Sequence, residues 1–442
     1  MTSTRPDPEE VLRRIDREEL VALALDLANI DSPTGQEGPV GEYLMETLSR
    51  WGFAPRRLGL LPDRFNVVAR LPGTGGGRSL ILNSHMDTTI AREEVWTTPR
   101  AADPIFHTGR REGEYLMGNG IVNNKGPMAC WLIAAKALLH SGVRLPGDLV
   151  LTMVAGEIGQ EPVDEFEAPR YLAKETGARY VVEHGTVADY ALVAEGTDFA
   201  LGWVEAGKAF FKVTVLGGDF PLYTPYIPRP TPLEESPSAI VRAARVIEAL
   251  EAWAERYEQV HRYEGPGGTV VPKVNIGAIR GGVPWKITKT VGICALYVDV
   301  RITPVQHPLD VQAELQAVLA ATGIPATVEL YVYRPGYEGR GVEPLVEAIG
   351  RAHARVRGGA PGRAAAPYTS MWRDINVFNA LGIPAVIYGP GPSVGGGQLA
   401  MAIDDMVDAA RAYALIALDV CSQVRPPAAR SAAGVPAGVR GA

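Results

Sequence analysis

The sequence predicts an α/β fold, a domain with a mostly parallel central sheet interrupted by a smaller ferredoxin-like α+β domain. Three observations predict it. Up to Asp198, strand-like runs alternate with helix-like ones, and several strands are apolar throughout, as in sheets covered on both faces. After Asp198 the order becomes strand, helix, strand, strand, helix, strand, which is the ferredoxin-like succession. From Pro335 the first alternation resumes.

In chain order, Val11 to Ile30 has helical apolar spacing after an acidic start and stops at the turn Asp31-Ser32-Pro33-Thr34-Gly35. A second helix runs from about Val40 to Trp51 and ends at Gly52. Asn66 to Leu71 and Ser79 to Asn83 read as strands separated by the glycine-rich turn at 73 to 77, a hairpin-like loop rather than a phosphate loop. Lys125 to His140 is a helix with Pro127 in its first turn, followed by the strands Leu149 to Ala155 and Tyr190 to Ala194. In such sheets the chemistry sits at the carboxyl ends of the strands.

The second pattern comprises the strands Phe210 to Leu216, Val274 to Ile279, Gly292 to Arg301 and Ala326 to Tyr333, with helices Ser238 to Tyr257 and Leu309 to Thr322. The last part reads as helix Val342 to Val356, a loop at 358 to 366, helix Asp374 to Leu381, strand Ala385 to Tyr388 and helix Met406 to Val420. The expected organisation is residues 1–204 plus 335–424 as one domain, 205–334 as the insert and 425–442 as a disordered Pro/Ala/Gly-rich tail.

A chain of 442 residues, 46% hydrophobic and 21% charged, buries a sizeable core unaided. Its net charge of −7, with no basic cluster, argues against nucleic acid and anionic membranes as partners. Cys130, Cys294 and Cys421 are odd in number and lie in separate apolar runs, which suits buried thiols in a reducing compartment. The N-terminal segment has no apolar signal core and no uncharged apolar run reaches membrane-spanning length, so the expected location is the cytoplasm.

Four segments are candidates for chemistry. Ser84-His85-Met86-Asp87 follows an apolar strand, and a His with a carboxylate two residues on can be a metal ligand and the partner that sets its tautomer. Gly118 to Gly126 is a loop opening the helix at Pro127. Glu157 and Glu195 are each delivered to the carboxyl end of a strand. Each alone is also compatible with an ordinary polar corner, turn or cap.

In this order, the four segments resemble the co-catalytic zinc peptidases and deacylases, the family of acetylornithine deacetylase, succinyl-diaminopimelate desuccinylase, aminoacylase and glutamate carboxypeptidase. The resemblance also covers Ser32-Pro33-Thr34-Gly35, Asn66-Val67-Val68-Ala69, Lys125-Gly126, Asp299-Val300-Arg301, Gly382-Ile383-Pro384 and Gly389-Pro390-Gly391. It implies a zinc-peptidase-like catalytic domain carrying a lid that, in many members, forms a homodimer.

Carried over residue by residue, the family's site is altered. Its first zinc-ligand His falls on His85, supported by Asp87, and its later acidic ligand on Glu195. The carboxylate that bridges the metals falls on Asn123, the paired glutamates on Gly156 and Glu157, and the final His at or near Met401. All seven histidines precede residue 354, so none can serve there. In the lid, Gly217-Gly218-Asp219-Phe220 stands where the family places a His.

A neutral Asn123 bridges two dications poorly, and a thioether prefers softer metals. One metal position is therefore expected to be empty. The other has His85, Asn123 and Glu195, the usual number of ligands for one catalytic zinc, at weakened affinity. Gly156 cannot accept a proton, which leaves Glu157, Glu161 or Asp164 to act as base. For a carboxylate-bearing substrate, the expected contacts are Arg301, Arg373, Trp372 and Asn275, with Arg301–Asp299 and Arg373–Asp374 pairs as the alternative for the two arginines. Three readings stay open: amide-bond hydrolysis of an N-acyl amino acid or short peptide with at most one zinc; a metal-free, non-hydrolytic descendant that joins, isomerises or only binds such a compound; and a lid-mediated dimer without a ligand.

Overall fold

The structure, a computed structural model, describes residues 7–392 and 399–425. The tail from 426, expected to be disordered, lies outside the described residues.

Six strands form the larger sheet in the order Arg56–Leu61, Arg64–Leu71, Leu149–Val154, Leu80–His85, Tyr190–Val193, Ala385–Ile387. The first two pairings are antiparallel and the remaining three parallel. Every residue of Leu80–His85 and Leu149–Val154 is buried, which is why neither strand shows the apolar–polar alternation of a half-exposed one. Helix Lys125–His140 is buried along most of its length, against Arg17–Asn29 on one side and Ile403–Ser422 on the other. Its Trp131 is fully buried and donates from Nε1 to Ser84 Oγ at 2.9 Å, which ties the helix to the strand end that carries His85.

The first expected helix is two. Pro8–Leu12 and Arg17–Asn29 are separated at Asp16, whose carboxylate accepts from the Glu19 amide at 2.8 Å. A local N-cap outcompetes continuation of the helix there. Strand Arg56–Leu61 was missed because Arg56, Arg57 and Gly59 break up its apolar pattern, and the short pairs Val204–Glu205 with Tyr337–Glu338 and Ala400–Ala402 with Tyr115–Met117 carry too few residues for a periodic signal.

The second sheet has the order Val274–Gly281, Ile293–Ile302, Gly207–Leu216, Ala326–Arg334, antiparallel throughout. Helices Ala239–Val260 and Pro308–Ala321 cover one face and share its core. On Gly207–Leu216, buried Ala209, Phe211, Val213 and Val215 line the core, and Lys208, itself buried, and the partly buried Lys212 of the other face turn towards the larger sheet. The loop after Leu149–Val154 meets them: Glu161 pairs with Lys208 at 2.5 Å and with Arg334 at 2.8 Å, Asp164 with Lys212 at 2.6 Å, and Glu165 with Arg280 at 2.6 Å. The insert thus sits as a lid over the carboxyl ends of the parallel strands. The three cysteines are buried and free, and no helix among the described residues is long and apolar enough to cross a membrane.

Two glycines give opposite expectations. A Cβ at Gly126 would lie 2.0 Å from the Ile121 carbonyl, whereas one at Gly350, inside helix Glu343–Arg357, would meet nothing within 4 Å. Urea unfolding should show Gly126→Ala losing about 2–4 kcal/mol and Gly350→Ala gaining about 0.5–1 kcal/mol.

Candidate active site

The parallel strands bring His85, Glu157 and Glu195 to one place, because neighbouring parallel strands end on the same side of the sheet. His85 is 1% exposed, and its Nδ1 lies 3.3 Å from Asp87 Oδ1. Its Nε2 lies 3.0 Å from Asn123 Oδ1 and 3.8 Å from Glu157 Oε2. Asp87 is held in turn by Thr34 Oγ1 at 2.9 Å and by the amides of Glu157 and Ile158 at 3.1 and 2.8 Å. Burial opposes ionisation of both members of this pair, but their mutual attraction prevails. It pushes His85 up to about 10, while His85 and the amide donors hold Asp87 down at about 2.

The two glutamates are occupied by cations from the same chain. Lys174 Nζ lies 2.8 Å from Glu157 Oε1 and 4.6 Å from the centre of the Trp372 ring. Arg373 places Nε 3.3 Å from Glu195 Oε2 and Nη1 2.6 Å from Glu205 Oε1. Asn124 donates to the other oxygen of Glu195 at 2.9 Å. Burial raises the pKa of Glu195 despite Arg373 and carries Glu205 to about 8; Glu157 is lowered, because Lys174 and His85 outweigh its burial. Asp374 is pushed up to about 7 by burial and by the charge of Glu157.

The structure brings His85, Asp87, Asn123, Glu157, Glu195, Trp372 and Arg373 together. Arg373, expected to meet a substrate carboxylate or Asp374, instead spans Glu195 and Glu205, while Asp374 accepts from Asn83 at 2.9 Å. Arg301 makes the intramolecular pair, with Nη2 2.9 Å from Asp299, and stands opposite Lys208 on the lid sheet. Asn275 is exposed on the edge strand opposite Asp299. Glu161 and Asp164, weighed as alternative bases, are the carboxylates that tie the strand-end loop to the lid.

Met401 is fully buried on the short strand Ala400–Ala402, its sulfur 3.6 Å from where a Cβ of Gly126 would be. Gly156 has φ +69°, and a Cβ there would lie 2.6 Å from the Ala173 carbonyl and from Arg64 Nη2, and 2.8 Å from Thr176 Oγ1. Arg64 is immobilised by a fully buried pair with Glu37 at 3.0 Å. Sequence reasoning missed Lys174, Glu205 and Asn124. Lys174 belongs to no regular element, and Glu205 sits on a two-residue strand, although a lone acid in the apolar run Trp203-Val204-Glu205-Ala206 was a usable signal.

Residues 81–419 match the description Peptidase family M20/M25/M40. The chain belongs to this family. A curated relative, N-formyl-4-amino-5-aminomethyl-2-methylpyrimidine deformylase of Bacillus subtilis (strain 168), is 27% identical over 417 residues, covering 85% of this chain and 88% of its own. Human carnosine dipeptidase 1 has the same fold, with TM-score 0.68 and 17% identity over 95% of this chain and 100% of its own. So does YXEP of Bacillus subtilis, a dinuclear metal-binding peptidase of the M20 family, with TM-score 0.60 and 15% identity over 92% and 99%. M20 membership makes this chain one of a family of hydrolases, and its mostly parallel sheet with an inserted lid is the M20 architecture.

The residues present do not fit the dinuclear centre of such a relative. Asn123 is engaged by His85, Glu157 by Lys174, and Glu195 by Arg373 and Asn124. Positions 156 and 401 offer a bare backbone and a buried thioether, and among the described residues no three His, Cys, Asp or Glu side chains are grouped to hold a metal ion.

Gly156→Ala should lower stability by more than about 2 kcal/mol in urea unfolding, from the positive φ and the close backbone together. A second expectation concerns acid. With a folded pKa of about 2 against 3.8 unfolded, Asp87 contributes stability that is complete above pH 3.8 and lost as pH falls through about 2. Between pH 5 and 2, wild type should lose about 2 kcal/mol that Asp87→Asn does not lose.

Proposed function

We propose that the protein acts on the amide bond of a small N-acylated amino compound or short peptide, bound between the strand ends and the lid sheet. The observation that carries this reading is the convergence of His85, Glu157 and Glu195 beneath a lid face bearing Lys208, Phe210 and Arg301. The activities for which the relatives are named, removal of a formyl group from an aminomethylpyrimidine and cleavage of a dipeptide, both place an acylated nitrogen at the reacting centre.

In this reading Asp87 orients His85 through Nδ1, and Glu157, with Oε2 turned towards His85 Nε2, moves the proton. Trp372 walls the cleft, and Arg301 and Asn275 on the lid meet a carboxylate of the substrate. A single zinc at His85, Asn123 and Glu195 would have to displace Arg373 from Glu195. The insert 205–334 is the lid, and its exposed edge strand Val274–Gly281 is where a second copy would add to form a homodimer. The buried free thiols suit a cytoplasmic location.

One observation favours the non-hydrolytic alternative. No side chain stands at Gly156, the position of the family's base, so water activation is weak and acyl transfer or amide formation escapes hydrolysis. The test is a panel of N-formyl amines, N-acyl amino acids and dipeptides, followed by mass spectrometry with and without added amine. Expected is conversion of an N-acyl compound that falls at least about 100-fold in Glu157→Gln. Amide formation without net hydrolysis selects the alternative, and absence of both conversion and binding across the panel removes the reading.

A further inference from the structure

We propose that Lys174 and Arg373 are built-in cations standing in place of divalent ions, so that the carboxylates at the strand ends are held by the chain itself and need no metal. The inference concerns the same site as the proposed function but does not depend on which amide is handled.

The geometry is specific. Lys174 and Arg373 are 5% and 9% exposed, and the carboxylates they meet, Glu157, Glu195 and Glu205, are 7%, 2% and 0% exposed. Carboxylates buried to that degree cannot remain ionised without a cation or strong donors. Lys174 takes Glu157, Arg373 bridges Glu195 and Glu205, and Asn124 takes the remaining oxygen of Glu195. Trp372 presents its ring to Lys174 at 4.6 Å and so closes the ammonium off on another side.

Gly156 explains how Lys174 arrives. A Cβ at 156 would collide with the carbonyl of Ala173 and the hydroxyl of Thr176, the residues flanking Lys174. Only a bare backbone lets segment 173–176 lie against the strand end and put the ammonium on Glu157. The missing side chain and the added cation are thus one structural change.

The test uses the full-length protein purified without chelator, with metal content by mass spectrometry and thermal unfolding in EDTA and in excess zinc, manganese or cobalt. Wild type should carry less than about 0.2 equivalents of metal, and its midpoint should move by less than about 1 °C in either condition, since binding to the native state alone would raise it. Lys174→Met and Arg373→Met should each lower the midpoint by roughly 5 °C or more, because each strands a buried carboxylate. Lys174→Met, with Glu157 freed beside His85, should regain part of that loss on adding zinc; Lys174→Arg should stay metal-independent.

A near-stoichiometric metal in wild type, a wild-type midpoint that falls in EDTA, or Met variants as stable as wild type would each overturn the proposal. So would a Lys174→Met protein indifferent to zinc. Should Lys174→Met not fold, the double variant Lys174→Met/Glu157→Leu, with both partners gone, should fold without metal, and its failure would also count against the proposal. These readouts do not involve turnover, so an inactive but metal-independent protein refutes the amide chemistry alone, and an active metal-bound one refutes this inference alone.

Discussion

Everything at the strand ends depends on one constraint, the need to neutralise several carboxylates gathered where water is excluded. Parallel strands force the gathering, since each delivers its last residues to the same edge, and the lid sheet excludes the water. Within that enclosure Asp87 is satisfied by His85 and by amide and hydroxyl donors, Glu157 by Lys174, and Glu195 by Arg373 and Asn124, while Glu205 meets Arg373 through one oxygen and burial raises its pKa to about 8. Remove one cation and the carboxylate it met has no inexpensive alternative state.

The same logic extends outwards. Glu161, Asp164 and Glu165 follow the strand that ends in Glu157, and they are matched by Lys208, Arg334, Lys212 and Arg280 on the lid sheet. Strand end, loop and lid are therefore one chain of charge pairs, in which Lys208 also lies 5.5 Å from the Trp372 ring that shields Lys174. The surfaces on either side of the strand ends are thus tied to one another in position.

The fold was largely legible in the sequence because its signals are long. The unbroken apolar strand Leu149–Val154, the helix Lys125–His140 and the ferredoxin-like succession each extend over enough residues to show their period. The break at Asp16 was missed because a cap depends on one side chain, and the short strands because two or three residues have no period. At the site, His85, Glu157 and Glu195 were legible as strand-end residues, and Asn123, Gly156 and Met401 were expected as altered positions from the family resemblance. The cations that meet the glutamates were not legible. Lys174 reaches the centre from an irregular segment and Glu205 from a two-residue strand, and Arg373 was read as facing a ligand carboxylate or Asp374, since its two buried partners lie far from it in sequence.

The glycine at 156 also fixes the direction in which this site can change. A glutamate placed there collides with segment 173–176 unless that segment moves, and moving it withdraws Lys174 and leaves Glu157 bare. A side chain at 156 and the ammonium on Glu157 therefore exclude one another, so these two positions can change only together.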